Sequence, residues 1–165
     1  MADFTEQKSE KRTMTERELK IAYELGQRDF SSSHLSNAKL RKARLRETNF
    51  SNAYLNRAVL SKADLKQAFL NRAVLYAANL CRSRLFRASL IEANLERANL
   101  SNANLDHANL HGANLTNANL KHVNLVWANL REANLSNANL EHANLSGAKF
   151  CRTIMPDGSV RNDDC

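Results

Sequence analysis

At 165 residues the chain has room for one hydrophobic core, and with only 4 Gly and 1 Pro it is neither a turn-rich sandwich nor a disordered linker. Its formal charge of +7 is concentrated in one stretch. Twelve Lys or Arg between Lys39 and Arg87 stand against two acids, Glu47 and Asp64, while residues 1–38, 88–150 and 151–165 each sum to −1.

The first expected element is a helix. Residues 1–11 read as a mobile tail. Thr13-Met14-Thr15-Glu16 fits a capping box, with Thr13 as N-cap and Glu16 three residues later. Leu19, Ala22, Tyr23 and Leu25 follow at spacings suited to an apolar face, and Gly26 is placed to end the helix. The spacing predicts a helix from Met14 to Leu25, within an N-terminal unit of residues 1–29 that covers the first coil of the next element. Nothing in the first twenty residues resembles a secretory leader, and no run of about 18 apolar residues occurs anywhere. A cytoplasmic protein that does not enter a membrane is expected.

From residue 30 to residue 150 a five-residue period governs the chain. Every fifth residue from 35 to 150 is Leu, except Phe50 and Phe150. Two residues earlier Ala occupies all but four positions, Ser33, Thr48, Ser83 and Val123. Between them stands Asn in thirteen cases, including Asn94, Asn99, Asn104 and Asn109. An α-helix turning about 100° per residue would scatter these leucines around its circumference. A flat strand would send alternate leucines to opposite faces. A chain that turns a corner once per repeat keeps every Leu and Ala inside, and stacked coils then share one core.

These A-N-L-x-x units resemble the pentapeptide-repeat family over about three quarters of the chain. The resemblance implies an all-β fold, a right-handed quadrilateral parallel β-helix of about six coils, with an N-terminal capping helix. Four repeats form each coil, so residues twenty apart stack about 4.8 Å from one another. Leu and Ala point in, the other three residues point out, and the asparagines are expected to form amide ladders between coils.

Residues 151–165 are expected to close the far end. Ile154 and Met155 carry apolar groups past the last coil, Pro156-Asp157-Gly158 signals a turn, and the tail to Cys165 is expected to be loose. Three cysteines, Cys81, Cys151 and Cys165, are an odd number and read as free thiols. A weakly protected end invites association of rods, so a homodimer is a possible partner state.

Two departures from the repeat are candidate functional surfaces. Arg41, Lys42, Lys62 and Arg82 stack on one side, and Arg46, Lys66 and Arg87 on the next, with Arg44 and Arg84 near the shared corner. Together they form a candidate polyanion or nucleic-acid surface. Tyr54, Val59, Phe69 and Val74 replace the usual Asn, and Tyr76, Phe86 and Ile91 fill outward positions beside them. These seven form a candidate protein-contact surface, with Val126 and Trp127 as a smaller second one. His122 and His142 stack without a third ligand, so no metal is expected.

Asp and Glu stand singly, no cysteine has an evident base beside it, and there is no phosphate-binding Gly-rich loop. A non-catalytic scaffold that binds another protein, without cofactors, is the expected function, and polyanion or nucleic-acid binding is the alternative. A third reading comes from the quinolone-resistance members of the resembled family, which mimic DNA and bind gyrase. Mimicry of that kind needs a negative rod, whereas residues 39–149 sum to +9 here.

Overall fold

The computed structural model describes residues 13–165; the tail expected over residues 1–11 lies outside the described residues. The helix, α1, spans Glu16–Glu24. Its N-cap is Thr15, not Thr13. The Thr15 hydroxyl accepts from the Glu18 N–H, and the Glu18 carboxylate accepts from the Thr15 N–H at 2.7 Å. Two overlapping T-x-x-E strings allow either register, and Thr13 is committed elsewhere: it forms a parallel bridge with His34 of the first coil. At the other end Gly26 has φ +96, and the N–H groups of Gly26 and Gln27 donate to Tyr23 and Ala22 in a Schellman pattern. Leu19 is fully buried and Ala22 and Tyr23 partly so, but Leu25 is 83% exposed and does not belong to the apolar face assigned to it.

Beyond the helix, single parallel bridges link each outward slot residue to the one twenty positions later, from Asp29↔Asn49 to Asn134↔Ile154. Twenty residues therefore make one coil, and each side of a coil is one five-residue repeat. Within a repeat the Ala N–H donates to the preceding Leu carbonyl, as in Ala53 to Phe50 at 3.0 Å, closing a β-turn. The third residue of each turn has positive φ, between 51° and 62° at every non-glycine position from Ser32 to Arg152. That is the conformation a type II turn requires. Of the four remaining N–H groups in a repeat, three donate to neighbouring coils, as Leu55 to Val74, Arg57 to Tyr76 and Tyr54 to Ser33.

The fifth N–H, on the residue after Leu, has no backbone acceptor. Asn supplies one. All thirteen slot asparagines accept from it through Oδ1, from Ser51 to Asn49 at 3.0 Å through Ser146 to Asn144 at 3.1 Å. Each is an Asx turn, which explains why Asn recurs. The expected ladder between coils is a minor feature: Asn129 donates to Asn109 at 3.0 Å and Asn124 to Asn104 at 3.4 Å.

The interior is a continuous stack of Leu, Ala and Phe, nearly all fully buried. Where Ser33 and Thr48 replace the inward Ala, their hydroxyls donate to the carbonyls of Phe30 and Leu45. The first coil lacks a predecessor, and Glu16 of α1 substitutes for it by accepting from the Lys39 N–H at 2.8 Å.

At the far end the chain reverses through Pro156–Ser159, and two short antiparallel strands, β1 (Thr153–Ile154) and β2 (Val160–Arg161), pair. This return corrects two expectations. Cys151 and Cys165 form a disulfide with Cα atoms 4.9 Å apart, because the hairpin brings the last residue back to the start of the segment. The tail is also held rather than loose: Asp164 accepts from the Phe150 N–H at 2.8 Å, and Arg131 donates to its carbonyl. Cys81 alone is a free thiol. The hairpin leaves part of the last coil bare. Leu140 and Leu145 are only partly buried, and among the described residues their N–H groups find no acceptor.

Candidate functional site

The basic residues converge at one corner. Lys42, Lys62 and Arg82 occupy successive coils in one turn column, and Arg44, Asp64 and Arg84 occupy the slot column that follows. With Arg46 and Tyr23 of α1 they line an open cleft of about 810 Å³. Six cations thus surround a single carboxylate. Asp64, buried to 9% exposure, accepts from Arg46 Nε at 2.8 Å and lies 3.7 Å from Arg84 Nη1. Because Asp64 also receives the Lys66 N–H at 3.4 Å, it does the work of a slot Asn while anchoring two guanidinium groups. The remaining side chains in the cleft keep their charge directed at solvent, where a concave wall focuses the field.

Of the nine residues predicted for this surface, the cleft gathers Lys42, Arg44, Arg46, Lys62, Arg82 and Arg84. Arg41 lines two smaller neighbouring depressions. Lys66 and Arg87 lie outside the cleft. Tyr23 was not singled out from sequence as a surface residue; its ring carries the Arg28 guanidinium 3.8 Å from the centroid and stands at the rim. Arg72, on another side, is committed to Glu92 at 2.8 Å, and that hydrogen bond holds the Glu92 carboxyl below the usual carboxylate range.

The predicted apolar residues are more dispersed. Tyr54 and Val74 are bridged in one column, with the Tyr54 ring stacked on His34 at 4.5 Å, and Tyr76 lies on the same side with its hydroxyl bonded to Arg97. Phe69 and Ile91 lie on the preceding side and Val59 on the following one, whereas Phe86 is on the opposite side. There it packs edge-on against His107, with centroids 5.9 Å apart, and Arg87 lies over it at 5.0 Å. Tyr54 and Phe69 are exposed, the others half-buried.

His122 and His142 stack at 4.8 Å, and Glu141 reaches both Lys121 and His142. Among the described residues no group of three possible ligands gathers, and no helix is long and apolar enough to cross a membrane.

Coils of equal length, an unbroken inward column and side chains displayed on flat sides define a parallel β-solenoid, a class that presents surfaces rather than pockets. The chain belongs to the pentapeptide-repeat family: pentapeptide repeats match in 8 copies over residues 29–67, 53–82, 83–121 and 118–155. Membership implies the right-handed quadrilateral winding. Among solved structures, the pentapeptide repeat protein Rfr23 from the cyanobacterium Cyanothece 51142 is 46% identical, with a TM-score of 0.55 over 56% of this chain and 63% of that one. This chain therefore spans less than two thirds of that relative. HetL, involved in heterocyst differentiation regulation in the cyanobacterium Nostoc sp. strain PCC 7120, is 27% identical, with a TM-score of 0.37 over 90% of this chain and 100% of that one. QnrB1, a plasmid-mediated fluoroquinolone resistance protein, is 17% identical, with a TM-score of 0.46 over 74% and 67%. None of the curated proteins matches the chain.

Proposed function

We propose that this protein is a non-catalytic scaffold that binds another protein through the first half of its rod. One observation carries the reading. Where Tyr54, Val59, Phe69 and Val74 replace Asn, the N–H groups of Asn56, Ser61, Asn71 and Tyr76 find no protein acceptor among the described residues. Each replacement gives up a local hydrogen bond worth about 1 kcal/mol and sets apolar surface toward water. The Tyr54 ring stacks on His34, but the hydrogen bonds given up and the apolar surface left toward water favour contact with another protein. The side carrying Tyr54, Val74 and Tyr76, flanked by Phe69 and Ile91, is the contact surface.

The experiment is a pull-down from the native cell with the wild type and with a Tyr54→Asn, Phe69→Asn, Val74→Asn variant. A partner retained by the first and lost by the second supports the reading; identical captured sets oppose it. A second reading, homodimerisation, is favoured by the half-bare last coil with Leu140 and Leu145. Sedimentation velocity separates the two, because a dimer built on that end survives the triple substitution.

A further inference from the structure

The side of the rod that carries the basic cleft continues toward the C-terminal end as an aromatic column. Arg84, Phe86 and Arg87 are successive outward residues of one coil, so the cleft and the column share a side. In the turn positions of the next two coils stand His107 and Trp127. Trp127 is 58% exposed, and its position is set by the residue one coil further on. That residue is Gly147: a Cβ built there would lie 2.5 Å from Trp127 Cε3 and 2.7 Å from Cδ2. The ring therefore lies flat across the outward side of Gly147, with its other face open to solvent. Any other residue at 147 would displace it.

We infer that this side is a binding track for single-stranded nucleic acid, with phosphates held at the cleft by Lys42, Arg44, Lys62 and Arg82 and a base stacked on the open face of Trp127. The pairing of a cationic groove with an open aromatic platform is the chemistry by which single strands are held without sequence preference. A purely acidic protein surface would satisfy the cations and leave the indole unused. Two of the carboxylates on this side are engaged by neighbours, while Glu47 stands at the N-terminal end of the turn column that holds Arg87, His107 and Trp127. Asp64 is bonded to Arg46 and lies beside Arg84, and Asp106 sits 2.6 Å from His107 Nδ1. This site lies across the rod from the Tyr54–Val74 surface and stands independently of it.

Trp127 is the only tryptophan, so its fluorescence reports directly. Titration of the full chain with oligothymidylate should quench it, and the affinity should fall with added salt at a log–log slope between about −1.5 and −3 for a few neutralised phosphates. Lys62→Glu with Arg82→Glu should weaken binding of a labelled oligonucleotide more than tenfold. Glu already occupies the same turn position at Glu47, Glu92 and Glu132, so these changes suit the fold. Trp127→Ala should weaken it about tenfold. Gly147→Asn installs a residue that the same turn position accepts at Asn117 and Asn137, leaving thermal stability intact while dislodging the ring and weakening binding similarly. Unquenched fluorescence at low salt would overturn the inference. So would undiminished binding by both Trp127→Ala and Gly147→Asn, or equal affinity for duplex DNA or polyglutamate.

Discussion

The two halves of the rod share one interior and differ on the outside. From Asn94 to Asn144 every slot residue is Asn, and each accepts the N–H two residues on. From His34 to Ser89 only Asn49 and Asn79 do so, with Asp64 as a substitute. The backbone nevertheless follows one path in both halves, with the same turn, the same positive φ and the same hydrogen bonds between coils. The inward Leu and Ala therefore determine the coil, while the Asn contributes a separable increment. The first half has surrendered that increment in exchange for apolar and cationic surface, and the cations of the chain are concentrated there.

The comparison can be broken at several levels. The largest effect belongs to the shared interior: Leu75→Ala and Leu115→Ala, at equivalent buried positions in the two halves, should each cost about 2–5 kcal/mol in denaturant unfolding. A much smaller cost in the first half would show that its core is looser and that the halves differ inside as well. A smaller effect isolates the slot. Asn114→Val reproduces in the second half the arrangement at Val74 and should cost about 1 kcal/mol by the same measurement.

The smallest is a pH effect at the first slot residue. The Ser31 N–H, then its hydroxyl, then the Asn49 amide hold the Asp29 carboxyl below its usual range. Its contribution is thus present above the unfolded value of about 3.9 and is lost as pH falls through the folded value. Asp29→Asn keeps the acceptor and removes the titration. The acid-induced drop in melting temperature should be slightly smaller in that variant.

Much of this fold was legible in the sequence because its determinant is steric and local. A five-residue step is incompatible with an α-helix and with a flat strand, and the inward positions repeat without a break. The basic corner was legible too, since stacking at twenty residues is simple arithmetic once the coil is known. What failed depended on choices the repeat does not make. The N-cap register turned on Thr13 pairing with His34, and the Cys151–Cys165 bond on the path of a fifteen-residue tail. Leu25 was misplaced because the helix ends one residue before it. The ladder forms at only two pairs, and the main role of Asn was missed because the leftover N–H is visible only after every other donor in the repeat has been assigned. Trp127 was legible as an outward aromatic residue, but the seat of its ring on Gly147, twenty residues away, was not.

The most direct test of the exchange between hydrogen bond and surface is the unfolding free energy of the Tyr54→Asn, Phe69→Asn, Val74→Asn variant. Restoring three Asx turns should raise stability by about 1–3 kcal/mol at unchanged m-value. A variant less stable than the wild type would show that these side chains serve the fold itself, and would contradict the account.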